Sequence, residues 1–399
     1  MSTPGISFEN TEKAFIAKGN QELKRSLWLF KLMGNPKLVK FFSKFIVFAI
    51  KIGLPVRLPV KATIFKQFCG GESIEESKEV VKKLSKSHVG SILDYSVEGK
   101  ESDDDFNRTK NEILKIIKVA KDDAAIPYTS VKLTGMAPFD LLEKMNFNQQ
   151  LTEAEEKEYQ LVRERLTEIC KYATESNVPI YFDAEESYIQ EAIDRLAEEM
   201  MEIYNKKTAI VLTTLQMYRW DRIDYLHKIL QKARDHKFFI GIKLVRGAYM
   251  ERENLRATQM GYKSPIQPTK EATDIDFDKA VDICLENIEL VTLCAGTHNE
   301  DSTMHLISKM KELNIPNDHP HVYFSQLYGM SDHITYNLAD AGYNVTKYLP
   351  YGPVNSVMPY LIRRAEENTG IAGQMGRELR LIIEEKNRRK EAKLLSPGK

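Results

Sequence analysis

Eight short apolar runs, rich in β-branched residues, alternate with charged amphipathic stretches from about residue 90 onward. Strand-length runs that alternate with helical stretches are typical of βαβ units, whose strands are parallel and whose connections are right-handed. Eight such units predict a closed β/α barrel. The predicted strands lie near residues 90, 130, 180, 210, 240, 291, 321 and 344.

An open doubly wound sheet is the competing arrangement of the same units. Such a sheet usually carries a glycine-rich phosphate turn after its first strand, and the sequence contains no G-x-G-x-x-G. The strand count therefore favours the barrel. We expect an N-terminal helical region at 1–88, the barrel at 89–370, and a charged, solvated helix and tail at 371–399.

The N-terminal region has an uneven charge distribution. Ten Lys and Arg residues and no acidic residue lie between Glu22 and Glu72, interleaved with aromatic residues. A basic, aromatic-rich segment at 24–66 suits an anionic membrane surface, but it also suits a helical cap that buries its apolar face on the barrel. Both interpretations stay open from the sequence. No run reaches the roughly 18 to 20 apolar residues of a spanning helix, and the N-terminus does not resemble a leader peptide.

Composition excludes several classes of protein. The 57 basic and 57 acidic side chains cancel, which argues against nucleic-acid binding by overall basicity. The four cysteines lie far apart without a C-x-x-C pair, so we expect neither a metal site nor a disulfide framework. We therefore expect the protein to reside in a reducing compartment.

Barrels of this kind carry their active sites at the carboxyl ends of the strands. Lys132 and Asp183 each follow a predicted strand, where a buried charge needs a partner. The two could pair with each other as a structural ion pair, or Lys132 could meet a ligand carboxylate. Further polar candidates at strand ends are Glu185, Glu186, Gln216, Lys243, Arg246, Thr297, His298, Asn299, Gln326 and Tyr348.

The helix predicted after the last strand carries Tyr360, Arg363, Arg364 and Glu367 at positions i, i+3, i+4 and i+7. This spacing places all four on one face. A solvated face with an Arg363–Glu367 ion pair is the simpler interpretation, but paired guanidiniums beside a barrel mouth suit a carboxylate or phosphate. Because no Ser or Cys has a convincing base partner, we expect a cofactor to perform the chemical step.

These motifs resemble the monofunctional proline dehydrogenases, the FAD-dependent proline oxidase family. The resemblance covers most of 85–370, through SVKLTG, YFDAEES, LQMY, KLVRGAYMERE, GTHNED, FSQLYGM and YLPYGPVNSVMPYLIRRAEEN. The last motif is the most specific, with Tyr360 twelve positions after Tyr348 and paired arginines following. The family's fold is a distorted eight-stranded TIM-like barrel with FAD at the carboxyl ends of the strands.

The resemblance implies roles for individual residues. Arg363, Arg364 and Lys132 would hold the substrate carboxylate, with Asp183 supporting Lys132. Glu367 would keep an arginine in register. The residues implied to enclose the pyrrolidine ring are Tyr249, Leu327, Tyr348 and Tyr360. The residues implied to bind FAD are Gln216, Lys243, Val245, Gly247, Thr297, His298, Asn299 and Gln326, with Lys243 standing where the bifunctional enzymes carry arginine.

The implied reaction is oxidation of L-proline to 1-pyrroline-5-carboxylate by hydride transfer to FAD, with electrons passed to a membrane quinone. This is the first step of proline catabolism to glutamate. Only about thirty residues follow the barrel, so we expect a separate pyrroline-5-carboxylate dehydrogenase. The expected location is cytoplasmic, with peripheral docking on the inner face of the cytoplasmic membrane through 24–66.

Three alternatives remain at this stage. A 4-hydroxyproline dehydrogenase would need room for a ring hydroxyl, and Tyr348 argues against it because related hydroxyproline enzymes carry a smaller residue there. A non-catalytic barrel that binds flavin or an amino acid would not need every matched cationic and aromatic position. A phosphate-binding barrel lyase would need a glycine-rich loop after the late strands, which the sequence lacks.

Overall fold

The computed structural model describes residues 6–51, 57–97, 102–370 and 372–395. Eight parallel strands close into a barrel in which every strand pairs with its sequence neighbour and β1 pairs with β8. The predicted barrel is therefore confirmed, and each strand lies where its apolar run predicted it. The strands are β1 (Val89–Tyr95), β2 (Tyr128–Val131), β3 (Ile180–Phe182), β4 (Val211–Gln216), β5 (Ile240–Val245), β6 (Val291–Gly296), β7 (Val322–Leu327) and β8 (Val345–Tyr351).

Helices precede the barrel, connect its strands and follow it. The helices before β1 are α1 (Thr11–Ala14), α2 (Asn20–Met33), α3 (Pro36–Lys51), α4 (Arg57–Val60), α5 (Lys66–Phe68) and α6 (Ile74–Ser85), with a π-helical turn at Lys61–Phe65. The helices from β1 to β8 are α7 (Asp103–Lys121), α8 (Phe139–Asn146), α9 (Glu153–Ser176), α10 (Ser187–Tyr204), α11 (Arg222–His236), α12 (Met250–Met260), α13 (Lys270–Glu286), α14 (Glu300–Glu312) and α15 (Asp332–Asp340), with a 3-10 turn at Leu133–Gly135. The chain ends with α16 (Met358–Gly370) and α17 (Ala372–Leu395).

Local chemistry sets where several barrel helices begin. The side chains of Ser102, Thr152, Thr269 and Asn299 each accept a hydrogen bond from a backbone N–H in the first turn of α7, α9, α13 and α14. Such caps satisfy donors that the helix itself cannot pair.

Alternation along the strands divides the barrel lumen into two layers. A cluster of buried apolar and aromatic side chains, among them Ile92, Tyr128, Tyr181 and Leu212, fills one layer. Two of its rings, Tyr128 and Tyr181, stack with centroids 4.9 Å apart. Because side chains two residues apart share a face, the inward positions that follow these residues lie nearer the carboxyl ends of the strands. The lumen therefore has an aromatic floor beneath a polar mouth.

The N-terminal helices and the last two helices share a second apolar cluster, separate from the one between strands and barrel helices. It contains Phe15, Leu23 and Phe30 from the N-terminal region, Leu361 from α16, and Leu381 from α17. The helical-cap interpretation is thus confirmed for α2. The face of α3 that carries Phe41, Phe42 and Phe45 is nevertheless exposed. Among the described residues, no helix is both long and apolar enough to cross a membrane.

The prediction of a solvated C-terminal helix was wrong. Helix α17 packs against α1 and α2 and buries Leu381 and Ile382. Its Glu385 is also fully buried and accepts hydrogen bonds from Arg388 and Arg389. The high charge of this helix makes its apolar stripe hard to recognise in the sequence. Long basic side chains lie along both sides of the stripe. Residues 396–399 of the predicted tail lie outside the described residues.

Candidate active site

Four of the predicted site residues meet at the polar mouth of the barrel. Asp183 follows β3, and one of its carboxylate oxygens accepts from the ammonium of Lys243 on β5 while the other accepts from the Tyr348 hydroxyl on β8. The Lys132 ammonium, at the end of β2, lies 3.3 Å from the Tyr348 oxygen. The barrel closure brings together residues that are more than two hundred positions apart in the chain.

Lys132 has a second counter-ion that the sequence did not predict. Its ammonium lies 3.7 Å from Asp183 Oδ2 but 2.9 and 3.0 Å from the two carboxylate oxygens of Asp94, on β1. Asp183 instead serves Lys243 and Tyr348. The predicted ion pair between Lys132 and Asp183 is therefore present but long, and Asp94 is the nearer counter-ion because the neighbouring strands β1 and β2 place it closer. The sequence signal for Asp94 was an isolated acidic residue inside the apolar run GSILDYSV.

Electrostatics hold this network in a defined ionic form. Burial raises the pKa of Tyr348 well above its usual range, and the nearby carboxylates Asp183 and Asp94 add to the effect, so its hydroxyl remains a donor. Burial also disfavours the Asp94 carboxylate, but Lys132 and hydrogen bonds from Ser96, Lys132 and Tyr348 keep the pKa of Asp94 below its ordinary value. Within the described part of this network, the carboxylates of Asp94 and Asp183 thus face the ammonium groups of Lys132 and Lys243.

The ammonium of Lys243 also lies between two aromatic rings. It is 4.8 Å from the ring centroid of Tyr181 and 5.1 Å from that of Tyr348. A cation over an aromatic face is favoured by the ring quadrupole. These contacts fix Lys243 at the boundary between the aromatic floor and the polar mouth.

Helix α16 carries the predicted arginine face. The Arg363 guanidinium lies 5.8 Å from the ring of Tyr249, which immediately precedes α12, and the Arg364 guanidinium lies 5.3 Å from the ring of Tyr360. Tyr360 and Arg364 are buried, so the solvated-face interpretation is wrong for these two positions. Leu327 ends β7, is half-buried, and packs against the apolar cluster that contains Tyr360 and Leu361 of α16. Glu367 lies within α16, but its side chain is outside the described residues.

The inward face of β4 presents hydrogen-bonding atoms to the mouth. Thr214 Oγ1 and Gln216 Oε1 are buried and have no hydrogen-bond partner among the described residues. The Gln216 amide nitrogen donates to the backbone oxygen of Glu185 at 2.6 Å, which fixes the orientation of the side chain. Unpaired buried acceptors are costly, so a ligand with N–H or O–H donors suits this position.

Glu185 is one of the polar strand-end candidates, and the sequence alone indicated no specific role for it. Burial raises the pKa of its carboxyl group to about 7, although hydrogen bonds from Thr134 oppose this shift. The Thr134 backbone N–H donates to Glu185 at 3.1 Å, and its hydroxyl donates to the same carboxylate. Glu185 thereby ties the loop after β2 to the loop after β3.

The GTHNED motif at the end of β6 forms a second polar group. Arg246 donates to Thr297 Oγ1 at 2.7 Å and to Ser302 at 2.8 Å. Asn299 caps α14, with its side-chain oxygen 3.1 Å from the Ser302 backbone nitrogen. His298 Nδ1 lies 2.9 Å from the Ser331 hydroxyl. Burial lowers the pKa of His298 to about 3, and surrounding cations add to the shift, so the ring is neutral at physiological pH.

Two further predicted cofactor residues have structural roles in this arrangement. The Gln326 amide nitrogen donates to the Thr297 backbone oxygen at 3.2 Å, and its oxygen accepts from Thr335 at 2.8 Å. Gly247 adopts φ +129°, and a Cβ added there would lie 2.5 Å from the Tyr218 ring. Only glycine fits that backbone and that approach. Val245, at the end of β5, is half-buried.

Comparison with known proteins decides the family. The family described as proline dehydrogenase matches residues 77–377 of the chain. The chain belongs to the proline dehydrogenase family. The predicted resemblance is confirmed, and with it the assignment of the chain as an oxidoreductase.

Relatives within the proline dehydrogenase family carry different names. "Proline dehydrogenase 1, mitochondrial" of Dictyostelium discoideum is 32% identical over 409 residues, which cover 91% of this chain and 72% of the relative. Hydroxyproline dehydrogenase of Xenopus laevis is 30% identical over 413 residues, which cover 94% of this chain and 88% of the relative.

Among solved structures, proline utilization A from Bdellovibrio bacteriovorus, inactivated by N-propargylglycine, matches with a TM-score of 0.71 and 20% identity. The match covers 92% of this chain and 40% of that longer chain. At this identity the match shows the fold alone, and it agrees with the closed barrel described above.

Proposed function

We propose that the protein is an FAD-dependent proline dehydrogenase that oxidises L-proline to 1-pyrroline-5-carboxylate. The observation that carries this proposal is the network of Lys132 and Asp183, which directly follow β2 and β3, with Lys243 and Tyr348, which lie within β5 and β8. Membership of the proline dehydrogenase family supports the same reaction. A small amino acid fits a mouth that combines cations with aromatic walls, because its carboxylate and its apolar ring need opposite surroundings.

In this proposal the chain's own residues bind and orient the substrate. Lys132, Arg363 and Arg364 hold the carboxylate, since guanidinium groups form directional charge-assisted hydrogen bonds with it. The side chains proposed to enclose the ring and exclude water are Tyr249, Leu327, Tyr348 and Tyr360. The cation–π contact between Arg363 and Tyr249, at 5.8 Å, supports this arrangement because it joins a residue proposed to bind the carboxylate to a residue proposed to enclose the ring. Glu367 is proposed to orient an arginine.

The residues proposed to hold FAD suit a large polar ligand. The unpartnered oxygens of Thr214 and Gln216 on β4 can accept hydrogen bonds from it. FAD, when bound, supplies the two-electron oxidant that none of the twenty side chains provides. The remaining residues proposed to surround it are Lys243, Val245, Gly247, Thr297, His298, Asn299 and Gln326.

The test is the visible spectrum of the purified protein under argon, recorded before and after addition of L-proline. We expect a bound flavin whose absorbance near its visible maximum is lost when L-proline is added. A flavin that stays oxidised would contradict the proposed substrate and favour a non-catalytic barrel. A colourless protein that FAD cannot reconstitute would contradict the cofactor.

4-Hydroxyproline is the second candidate substrate, because one of the relatives that match over most of this chain is a hydroxyproline dehydrogenase. Tyr348 favours proline instead. Its hydroxyl is engaged with Asp183 and lies 3.3 Å from the Lys132 ammonium, so the ring cannot swing aside without breaking both contacts. Adding trans-4-hydroxy-L-proline to a parallel sample discriminates the two, and faster bleaching by hydroxyproline would reverse the assignment.

We also propose that α3 docks on an anionic membrane from which a quinone accepts the electrons. Phe41 is 63% exposed and stacks on the exposed ring of Phe45 with centroids 6.4 Å apart. The neighbouring Lys37, Lys40 and Lys44 are exposed too. Exposed aromatic rings flanked by lysines suit the headgroup region of an anionic bilayer. Helix α3 packs against α16, which carries the proposed carboxylate clamp.

Vesicle sedimentation tests the docking. We expect the protein to bind vesicles that contain phosphatidylglycerol, and the paired changes Phe41→Ser and Phe45→Ser to abolish binding. Ile275→Ser is the matched control, because Ile275 is similarly exposed but lies on α13. Equal binding by all three proteins would refute docking through α3. A location at the inner face of the cytoplasmic membrane is part of the same proposal.

The organisation of the chain completes the proposal. We retain the three-part division into 1–88, 89–370 and 371–399, with catalysis in the middle part. A separate pyrroline-5-carboxylate dehydrogenase is the proposed consumer of the product. Coupled assays with and without such an enzyme would show whether product removal changes the rate of proline oxidation.

A further inference from the structure

Asp94 is a deeply buried charged group of the barrel mouth. It lies in β1 on the same inward face as Ile92, and only 1% of its surface is exposed. An isolated carboxylate at such a position is strongly unfavourable unless it is paired and hydrogen-bonded. The contacts that offset this cost therefore indicate what the residue does.

Both carboxylate oxygens of Asp94 contact the Lys132 ammonium, at 2.9 and 3.0 Å. Two serine hydroxyls hold the carboxylate in place from β2 and from the end of β1. Ser130 donates to Oδ1 at 3.2 Å, and Ser96 donates to Oδ2. The orientation of Asp94 is thus determined before any ligand arrives, and the orientation of the Lys132 ammonium follows from it.

Asp94 and Asp183, two carboxylates in the lumen, lie nearest to different cations. Asp183 accepts from Lys243 and from Tyr348, and it lies 3.7 Å from Lys132. Asp94 is the nearer counter-charge of Lys132. Loss of the Asp94 charge would remove the nearer of the two carboxylates that form ion pairs with Lys132 among the described residues, in a closed lumen where a change of charge has a strong effect.

We propose that Asp94 is a positioning residue, which fixes the ammonium of Lys132 and supplies its counter-charge so that Lys132 can bind the substrate carboxylate. The inference rests on the proposed function, in which Lys132 contacts that carboxylate. Asp94 itself does not touch the substrate in this arrangement. Its effect is therefore confined to substrate binding through Lys132.

Steady-state kinetics of Asp94→Asn test the inference, with L-proline as substrate and a soluble quinone as acceptor. An asparagine keeps the shape but loses a charge-assisted contact with Lys132. We expect KM for proline to rise about 10- to 100-fold, while kcat changes less than about threefold because the lost contact serves binding in general. Flavin content, read from the visible spectrum, should be unchanged.

A double-mutant cycle separates this role from a general effect on folding. In a Lys132→Met background, Asp94→Asn should raise KM by no more than about twofold, because the residue through which Asp94 acts is gone. A further tenfold rise in that background would overturn the inference. So would a wild-type KM in the single variant.

Two more variants keep the test decisive. Asp194→Asn removes another buried carboxylate, which pairs with Arg222 on α11, and should leave KM for proline unchanged. If Asp94→Asn does not fold, Ser96→Ala removes one hydrogen bond to Asp94 and should raise KM in the same direction by about threefold. A wild-type KM for Ser96→Ala would then count against the inference. Wild-type protein that does not oxidise proline would instead refute the proposed function, so the two failures are distinguishable.

Discussion

A buried ion pair joins the outer side of β8 to the N-terminal region. Lys347 is only 1% exposed, and its ammonium lies 2.9 Å from Asp332 Oδ1. The other oxygen of Asp332 lies 2.8 Å from the ammonium of Lys18, which follows α1. One carboxylate therefore compensates two cations and connects the strand that carries Tyr348 to the N-terminal helices.

Asp332→Asn should strongly destabilise the protein at neutral pH. Removing one partner of a buried pair leaves the other charge uncompensated, which costs about 3–5 kcal/mol. Lys18 and Lys347 outweigh the effect of burial and hold the pKa of Asp332 well below its ordinary value of 3.8. A depressed pKa in the folded state means that the stabilisation is present above the unfolded-state pKa and is lost as the pH falls through the folded-state pKa. The wild-type advantage should therefore be complete near pH 7 and should decline only below about pH 4.

Urea unfolding followed by circular dichroism at pH 7 measures this loss. Asp340→Asn is the matched control, because Asp340 pairs with Lys13 at a half-exposed position where ion pairs contribute about 0–1 kcal/mol. The double variant Asp332→Asn with Lys347→Met should recover part of the stability, since the fully buried ammonium is then gone and only Lys18, which is 16% exposed, loses its partner. An Asp332→Asn loss no larger than that of the control would refute the reasoning.

Three further variants test other parts of the structure. Because burial raises the pKa of Glu185 to about 7, the stability that its protonated form provides is present below its unfolded-state pKa and is lost as the pH rises through 7. The unfolding free energy of the wild type should therefore decline by about 3 kcal/mol between pH 4.5 and 7, and Glu185→Gln should remove this decline. Urea midpoints that change with pH by the same amount in both proteins would contradict this. Gly329→Ala would place a Cβ 2.0 Å from the backbone oxygen of Gln67 at φ +84° and should lower the unfolding free energy by more than Gly342→Ala, where φ is +80° but no described atom lies within 4 Å. Tyr348→Ser should raise the ratio of kcat/KM for hydroxyproline over proline by about tenfold, and an unchanged ratio would show that this side chain does not set ring selectivity.

The sequence was sufficient for the barrel because its signal is local and repeated. Each apolar run is long enough to form a strand, and the alternation of strands with helices permits few topologies. The same rule selected Lys132, Asp183, Lys243 and Tyr348, and the structure brings these four together. Lys243 and Tyr348 lie within their strands rather than at the ends. Their catalytic and binding roles stay predictions.

The sequence predicted which residues lie in the site better than it predicted which of them form ion pairs. The sequence suggested a pair between Lys132 and Asp183, and the structure contains that pair at 3.7 Å. It also places Asp94 nearer to Lys132 and Lys243 nearer to Asp183, and neither of these contacts was predicted. Such contacts depend on strand register and on the radius of the closed barrel, to which sequences far apart in the chain contribute together. The same limit applies to α17, whose buried stripe becomes apparent only when α1 and α2 are placed against it.

By itself, then, the sequence determined the strand and helix order, the barrel and several of the polar residues at its mouth, because periodicity and strand-end position are properties of short segments. Only the tertiary structure decided which carboxylate neutralises which ammonium, which face of the N-terminal region is buried, and where an unpaired acceptor such as Gln216 Oε1 remains. The physical reason is that electrostatic pairing and burial depend on distances between segments, and the closed barrel sets those distances.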